Sequence, residues 1–447
     1  MTALAVQVGS AAVDITPPLS IPHLGFLPRQ GRFTGVNDPL LARAFVFQEG
    51  GERIALLCAD SLGFGNHILG PGRHFTDELR ARVSDRCGLV PGALMLSTTH
   101  AHSTPETLGI TRLLDAPAAG PWLEVLLDQL ASAVEMACGD LRPCRLKVGR
   151  GQVLGVARNR RPSARGLTLE EQVARGKLDP ELQVLVCQDE EGQARQVLLN
   201  FQCHPVTMQV QPLISADYPG VATGLVQRSL PGCKTCGFVQ GAAGNLNPLR
   251  GDSRDYRDVI LYGTMVAGEA LKVAARLLGD DGSASRTGTI AWASERVSLP
   301  PRPPVDRAEW EGKLREAQAR ERAAASDRER REAAQEARRA REALDVCDYY
   351  DGPQEAEVQV LRLGDLAIAS NPGEMFTQWG LKIKRESAAP HTFVAELTNG
   401  WVGYLLDPGG FEEGGYEASP GPWTQVGEEA GAILSQAAIR LIARLWR

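Results

Sequence analysis

The sequence lacks any apolar run that approaches the roughly 20 residues a membrane-spanning helix needs. Its opening, MTALAVQVGSAAVDITPPLS, also lacks the basic head and the cleavage site of a secretory signal peptide. There is no excess of basic charge, because 48 basic residues stand against 54 acidic ones and the formal net charge is −6. Such a balance gives the whole chain no attraction for nucleic acid or for an anionic membrane. We therefore expect a cytoplasmic protein without a transmembrane segment, whose partner is a small or neutral molecule and not a nucleic acid.

The cysteines do not form the pattern of a disulfide framework or a structural zinc site. The chain has nine, an odd number, and most lie inside apolar stretches such as IALLCAD and QVLVCQD. A thiol in such a stretch behaves as a small hydrophobic group. Cys233 and Cys236 form the motif CKTC, but no second Cys or His pair at matching spacing accompanies them. We interpret them as reduced thiols at a turn before a strand.

Short β-rich runs alternate with helical patterns along the chain. Runs such as RIALLCAD, ALMLSTTH and QVLLNFQCH are nearly continuous apolar strings, which is typical of strands covered on both faces. Patterns such as PWLEVLLDQLASAVEMACG carry apolar residues at spacings of three and four and end at glycine, which indicates amphipathic helices. The mixture predicts an α/β fold in which helices are layered on a large mixed sheet.

The segment from Asp306 to Leu344 differs from the rest of the chain. It is rich in Ala, Arg and Glu and nearly free of large apolar residues, which favours a charged helix or a helical hairpin that breaks near Ser326. Glutamates interleave its arginines, so a solvated helical excursion is favoured over a nucleic-acid-binding arm. We assign residues 306–345 as an inserted helical segment in an otherwise single domain that spans residues 1–447.

Polar side chains that can bind ligands follow five of the predicted strands. The carboxyl ends of strands form the sites of open α/β sheets, so these side chains are predicted to converge on one cleft. They are His100 and His102 after ALMLSTT, His204 after QVLLNFQC, Asn245 and Asn247 after CGFVQGAAG, Glu374 after LAIASNPG, and Asn399 and Tyr404 after TFVAEL. The remaining histidines are interpreted as structural.

His100 and His102 form an H-x-H pair, and on an extended chain residues i and i+2 point to the same side. Both can therefore bind one metal ion, but an H-x-H pair occurs in several unrelated classes of metal site. A metallo-β-lactamase-like site continues with Asp-His where this chain has STPE, and an amidohydrolase barrel needs a lysine and two further histidines where only His204 is at hand. Two histidines with Glu374 suit a three-ligand zinc site that leaves a position for water, which favours hydrolysis of a carbonyl bond.

An ordered series of motifs makes the chain resemble the neutral/alkaline ceramidase family, in particular its N-terminal catalytic domain. The motifs run almost from end to end: VGSAAVDITPP, TGVNDPLLARAFVF, LLCADSLGF, STTHAHSTPE, NFQCHPVTM, SADYPG, VQGAAGNLNP, NPGEMFT and LTNGWVGYLLDPGGFEEGGYEA. The resemblance implies that residues 1–447 are a ceramidase-like catalytic domain that hydrolyses an N-acyl bond.

The resemblance also implies a metal set, a catalytic set and a substrate-binding set of residues. The metal set would hold one Zn²⁺ and consists of His100, His204, Glu374 and Tyr404. The catalytic set consists of His102 as acid or base, together with Arg160 (in ARNRRPSA) and Tyr416 (in GGYEA). Tyr416 is suited to donate a hydrogen bond to the carbonyl oxygen as charge develops there. The substrate-binding set consists of Asn245, Asn247 and Asn399.

Three residues depart from the family pattern. Ceramide-cleaving members carry Asp and Ser where this chain has Asn245 and Asn247, and a histidine is usual where it has Asn37. Asparagine is neither a nucleophile nor a carboxylate, so a mechanism through that serine is excluded and a metal-activated water remains. The signal peptide and the immunoglobulin-like C-terminal domain of the secreted ceramidases are also expected to be absent.

These features predict a zinc-dependent hydrolase that cleaves a linear amide (N-acyl) bond by a metal-activated water. The expected substrate is a small-molecule or lipid-like N-acyl compound that is smaller or more soluble than ceramide. An ester or lactone hydrolase on the same zinc site is an alternative, because the same Lewis acid and oxyanion donors serve both bonds. A metal-binding or scaffold member that has lost catalysis is a second alternative, raised by Asn245 and Asn247.

Overall fold

Apolar runs form the strands of this protein, as the sequence predicts. The computed structural model describes residues 6–23, 31–111, 113–251, 253, 255–280, 289–347 and 352–447. The strands are β1 (Val6–Asp14), β2 (Gly35–Val36), β3 (Leu41–Glu49), β4 (Glu52–Ala59), β5 (Leu94–Thr98), β6 (Arg142–Gln152), β7 (Ala157–Asn159), β8 (Glu181–Gln188), β9 (Ala194–Phe201), β10 (Leu213–Ile214), β11 (Thr235–Gln240), β12 (Leu246–Pro248), β13 (Ile290–Leu299), β14 (Gln354–Leu363), β15 (Leu366–Ser370), β16 (Glu374–Met375), β17 (His391–Ala395) and β18 (Tyr404–Leu405). Every residue of β5 is buried, so both of its faces are covered.

Helices follow most of the amphipathic patterns, and their ends carry recognisable caps. They are α1 (Phe75–Cys87), α2 (Ala119–Cys138), α3 (Leu169–Ala174), α4 (Asp217–Ser229), α5 (Tyr256–Gly279), α6 (Arg307–Ala323), α7 (Asp327–Asp345), α8 (Thr377–Glu386), α9 (Gly410–Glu413) and α10 (Ala430–Leu445). For example, α1 ends at Gly88, which takes the left-handed conformation with φ of 67°. Among the described residues, no helix combines the length and the apolar character that crossing a membrane requires.

The larger sheet has eight strands in the order β11-β9-β8-β6-β1-β3-β4-β5. Its interior pairs are antiparallel, whereas the pairs at both edges, β11 with β9 and β4 with β5, are parallel. The two edge strands contact each other, so the sheet curls back on itself. Gly237 of β11 permits this close approach, because a Cβ atom there would lie 2.6 Å from the ring of Phe45.

A second sheet, in the order β13-β14-β15-β17, packs beside the first, and its last pair is parallel. The side chain of Asn200 in β9 joins the two sheets by donating a hydrogen bond of 2.9 Å to the carbonyl oxygen of Val394 in β17. Helices α1 and α2 pack on one side of the larger sheet, α4 and α5 cover another part of it, and α10 packs on the second sheet with α8 beside it. The predicted α/β architecture with a large mixed sheet is confirmed.

The charged segment is a helical hairpin made of α6 and α7. Its break falls where the sequence predicts it, because Ser326 caps α7 and forms a capping box with Glu329. The buried side chains within the two helices are all alanine, which lets the helices approach closely. The ion pairs along the hairpin, such as Arg320 with Glu336, join hairpin residues to one another.

Deleting residues 307–345 and joining Asp306 to Val346 by a short Gly-Ser linker is expected to leave the rest of the fold intact. The reason is that α6 and α7 bury only alanine side chains, and the ion pairs described above join hairpin residues to one another. We expect one cooperative thermal transition whose midpoint shifts by no more than about 4 °C, measured by circular dichroism. Loss of the cooperative transition would show that the hairpin belongs to the core.

Candidate metal centre

Three segments that follow strands with parallel neighbours meet at one centre. His100 follows β5, His204 follows β9 and Glu374 follows β15. The Oε2 atom of Glu374 lies 3.2 Å from Nε2 of His204 and 3.5 Å from Nε2 of His100. All three side chains are buried. The structure therefore brings these three predicted ligands together.

The backbone around this centre is tightly constrained. His100 has a φ of 63°, in the left-handed region that residues with a side chain rarely adopt. Strain of this kind costs about 1–3 kcal/mol and is concentrated at functional sites. On the opposite side, Gly244 approaches Glu374 so closely that a Cβ atom at Gly244 would lie 2.3 Å from the carbonyl oxygen of Glu374. A glycine at this position of VQGAAGNLNP lets the loop reach the centre.

Backbone carbonyls fix which nitrogen each histidine presents. The Nδ1 atom of His100 lies 2.6 Å from the carbonyl oxygen of Leu62, and Nδ1 of His204 lies 2.7 Å from that of Ala243. A carbonyl oxygen only accepts, so each Nδ1 atom carries the proton and donates it. The Nε2 lone pairs of both rings are then directed at the centre, as in metal-binding histidines oriented by an outer hydrogen bond.

Glu374 is oriented from its other oxygen. The indole Nε1 of Trp401 donates a hydrogen bond of 3.2 Å to Oε1 of Glu374, which leaves Oε2 for the histidines. Burial opposes ionisation of this carboxyl group, but the neighbouring rings of His100 and His204 outweigh it and hold its pKa well below the ordinary value. Burial, followed by the positive charge of Arg160, lowers the pKa of His204 to about 4. At neutral pH the centre therefore presents a carboxylate and a neutral imidazole.

His102 lies in the same cluster. Its Nε2 atom is 3.2 Å from Nε2 of His100, and its ring centroid is 5.7 Å from that of His204. Within the described part of the chain, the ligand atoms of these three histidines lie within 4.8 Å of one another, as a metal site requires. His102 is half-buried, whereas the other two rings are buried. Its acid–base role stays a prediction, since this position also suits a ligand.

The donor set fits zinc. Tetrahedral zinc, with bonds of about 2.0–2.2 Å to imidazole nitrogen and carboxylate oxygen, holds neighbouring ligand atoms roughly 3.3 Å apart. The separations of Glu374 Oε2 from His204 Nε2 and from His100 Nε2, 3.2 Å and 3.5 Å, lie on either side of that value. The protonated Nδ1 atoms complete the arrangement, because the inner nitrogens are free of protons.

Two tyrosines and an arginine form the polar wall beside the histidines. Strands β16 and β18 pair in parallel, which sets Tyr404 opposite Glu374 in register. The Tyr404 hydroxyl lies 2.7 Å from that of Tyr416 and accepts a hydrogen bond of 3.1 Å from Nη2 of Arg160. Burial raises the pKa of both phenols above the ordinary value. The described contacts of the Tyr404 hydroxyl are thus with Arg160 and Tyr416, and its place as a metal ligand stays a prediction.

A buried carboxylate that the sequence does not single out holds Arg160 in place. Glu417 accepts hydrogen bonds of 2.9 Å from Nε of Arg160 and from Nη1 of Arg161. Its position directly after Tyr416 is the only sequence signal, and the neighbouring motif FEEGGYEA contains other glutamates that look the same. Leu62 and Trp401 are also missed, because a backbone carbonyl and a loop tryptophan carry no signature of ligand support.

The three predicted substrate-binding asparagines occupy different environments. Asn247 lies at the candidate site, where its Oδ1 accepts a hydrogen bond of 2.8 Å from Nη1 of Arg160. The Oδ1 atom of Asn245 accepts from the hydroxyl of Thr377 at 2.8 Å. Asn399 joins the two sheets, since its Oδ1 accepts from the amide of Leu96 at 2.9 Å. Contacts of these residues with a substrate stay predictions.

Comparison with known proteins gives a family match. The family model described as "Neutral/alkaline non-lysosomal ceramidase, N-terminal" matches residues 6–251. The neutral ceramidase of Mycobacterium tuberculosis is 25% identical over 264 residues, which cover 54% of this chain and 40% of that protein. The neutral ceramidase of Pseudomonas aeruginosa is 25% identical over 256 residues, which cover 55% of this chain and 37% of that protein. These sequence matches thus span less than half the length of the curated relatives.

Solved structures extend the likeness along nearly the whole chain. The crystal structure of neutral ceramidase from Pseudomonas aeruginosa matches with a TM-score of 0.75 and 20% identity, and the match covers 99% of this chain and 75% of that chain. A structure titled "Ceramidase complexed with C2" matches with a TM-score of 0.73 and 18% identity. At these identities the likeness shows the fold alone. Glu374, Tyr404 and Tyr416 lie beyond the residues that the family model matches.

Replacing Glu417 by alanine is expected to lower the free energy of unfolding by about 3–5 kcal/mol. The reason is that the buried charge of Arg160 then has no ion-pair partner, and Arg161 keeps only Glu413 of its two partners. Urea denaturation followed by tryptophan fluorescence measures the change. Glu412→Ala is the matched control, because this glutamate is exposed in the nearby short helix α9 and its loss is expected to change stability by less than about 0.5 kcal/mol. Equal effects of the two variants would contradict the buried network.

Proposed function

Because the chain belongs to the neutral/alkaline non-lysosomal ceramidase family, we propose that it is a zinc-dependent hydrolase that cleaves the amide bond of an N-acyl compound. One observation carries the proposal: Oε2 of Glu374 lies within 3.5 Å of the Nε2 atoms of both His100 and His204. The outer nitrogens of both rings are fixed by carbonyls, which is the arrangement of a preformed metal site.

His100, His204 and Glu374 would hold the zinc ion, with Tyr404 as the fourth protein group. When bound, zinc supplies a Lewis acid that polarises a carbonyl and lowers the pKa of water towards about 7. The register of β16 with β18 supports Tyr404, because it sets this residue beside Glu374. His102 stands next to His100 on the half-buried side of the cluster, where a substrate and water have access.

The polar wall supplies hydrogen bonds for the reacting carbonyl. Arg160 donates to the hydroxyl oxygen of Tyr404, so the Tyr404 proton is available to the oxygen of Tyr416. The proton of Tyr416 is then free to point towards a substrate. A donor chain of this kind stabilises the oxygen that becomes negative as the amide carbon is attacked. His102 takes a proton from the attacking water and returns it to the departing amine.

The substrate is a small-molecule or lipid-like N-acyl compound, and Asn247 favours one other than ceramide. Where ceramide-cleaving members carry a serine, this side chain is an amide that bonds Arg160. A hydroxyl nucleophile is therefore absent at position 247, and the attacking group is water.

The proposal is tested with a panel of N-acyl amides of increasing chain length, each paired with the ester of the same acid. We expect zinc-loaded protein to cleave an amide, and His102→Ala to lower kcat by about 10²–10⁴-fold while retaining zinc. His100→Ala is expected to lose both zinc and activity, as elemental analysis and the same assay will show. His67→Ala is the matched control, because this histidine is exposed and outside the cluster.

Two outcomes would contradict the proposal in different ways. Cleavage of esters with no cleavage of any paired amide would make the protein an esterase on the same centre. Zinc bound by the wild type but not by His100→Ala, without turnover of any compound, would make it a metal-binding member without catalysis.

Replacing Trp401 by phenylalanine is expected to raise the dissociation constant for zinc by about 10–100-fold. The ring still packs with Leu62, Leu108 and Leu397, but the donor to Oε1 of Glu374 is lost. Competition with a chromogenic chelator measures the constant. Trp423→Phe is the matched control, because its indole donates to the backbone carbonyl of Tyr416 instead. Equal zinc affinities in the two variants would exclude this positioning role.

A further inference from the structure

Helices α1 and α2 run parallel, and their side chains show the register. Arg82 donates a hydrogen bond of 3.0 Å to Asp128, and Arg86 donates one of 2.8 Å to Ser132. The second contact is four residues further towards the C-terminus in both helices, which shows that the two helices point in the same direction. The C-terminal ends of both helices lie side by side.

Both helices end in a cysteine. Cys87 is the last residue of α1 and Cys138 is the last residue of α2, and a glycine follows each. The Sγ atom of Cys87 donates a hydrogen bond of 3.2 Å to the carbonyl oxygen of Val83, and the two thiols lie close enough to interact electrostatically. Both are half-buried and pack against the edge of the same core cluster. By contrast, Cys58, Cys187, Cys203 and Cys236 are fully enclosed.

We propose that Cys87 and Cys138 are an oxidation site, at which exchange with a low-molecular-weight disulfide such as oxidised glutathione links the ends of α1 and α2. The proposal rests on the side-by-side ends of the two parallel helices, where both cysteines lie, and on the partial exposure of both thiols. It is independent of the metal centre. Disulfides require sulfurs that can meet without large backbone movement, and adjacent parallel helix ends supply that arrangement.

The surroundings favour Cys87 as the attacking sulfur. The interaction with Cys138 lowers the pKa of Cys87 to about 6, and the positive charge of Arg53 adds to the effect. Arg53 is anchored close by, since it donates a hydrogen bond of 3.2 Å to the carbonyl oxygen of Cys87. A thiolate rather than a thiol is the nucleophile in disulfide exchange.

The exchange proceeds in two balanced steps. The Cys87 thiolate attacks one sulfur of oxidised glutathione, which forms a mixed disulfide and expels one glutathione thiolate. The Cys138 sulfur then loses its proton and attacks the Cys87 sulfur, which forms the protein disulfide and expels the second glutathione thiolate. Both cysteines are oxidised, and one glutathione disulfide is reduced to two thiols.

The link would close a loop of chain that contains β5 and the H-x-H pair at His100 and His102. Closing a loop removes conformations from the unfolded chain and so stabilises the folded state. For a protein of this size we expect the thermal midpoint to rise by about 4 °C on oxidation. The rise should disappear when dithiothreitol reduces the link.

The test uses the full-length protein with oxidised glutathione as the probe. Free thiols are then blocked with N-ethylmaleimide, and the peptides are mapped by mass spectrometry. We expect a crosslink between the peptides of Cys87 and Cys138, with loss of two hydrogen atoms in mass. In Cys138→Ser we expect glutathione to remain on Cys87, because the second step has no attacking sulfur. Cys347→Ser is the matched control, as this half-buried thiol belongs to the distant hairpin end.

Glutathione on Cys347 without a Cys87–Cys138 crosslink would overturn the proposal, because the oxidant then reaches half-buried thiols and the pair still fails to close. A protein whose thiols all stay free would overturn it as well. Should Cys138→Ser fail to fold, the crosslink map of the wild type and the dithiothreitol-reversible rise in its thermal midpoint decide the matter.

Discussion

The Oε2 atom of Glu374 is shared by the Nε2 atoms of His100 and His204, and most of the surrounding architecture holds these three groups in place. When the proton of each ring is on Nδ1, the two Nε2 lone pairs and the carboxylate oxygen all face one point, which is the donor arrangement of a metal site. The carbonyls of Leu62 and Ala243 ensure this by accepting from the outer nitrogens. Each carbonyl lies on the loop that follows a strand at the same end of the sheets. The strand topology therefore places the carbonyl groups that determine which nitrogen of each ring is protonated.

A second buried network gives the centre its charge. Arg160 pairs with Glu417, and Arg161 pairs with both Glu417 and Glu413, so the positive charge that acts on His204 is that of the Arg160 guanidinium group. That charge is one reason why the pKa of His204 is low, after burial itself. The same charge lies next to the hydroxyl of Tyr404. An oxygen that becomes negative beside this wall is stabilised by charge and by hydrogen bonds that are already in place, and needs little reorganisation.

The sequence predicts those site residues that are of a metal-binding type and that directly follow a predicted strand. Histidine and glutamate after buried apolar strands predict His100, His204 and Glu374, because strand ends share an edge. Trp401 and Glu417 act through partners that only folding brings near, and Glu417 is 257 residues from Arg160. The sequence also does not predict how the strands divide into two sheets. A buried strand has the same continuous apolar pattern whichever strand it pairs with.

Asn247 helps to hold the guanidinium group of Arg160 in place. Its amide oxygen accepts from Nη1 of Arg160, while Glu417 and the carbonyl of Gly244 accept from Nε and Nη2. The guanidinium group is therefore held at each nitrogen and keeps its contact with Tyr404. An amide held in this way positions a cation and offers no nucleophile. Under the proposed function the attacking group is therefore water, and His102 is the half-buried member of the histidine cluster.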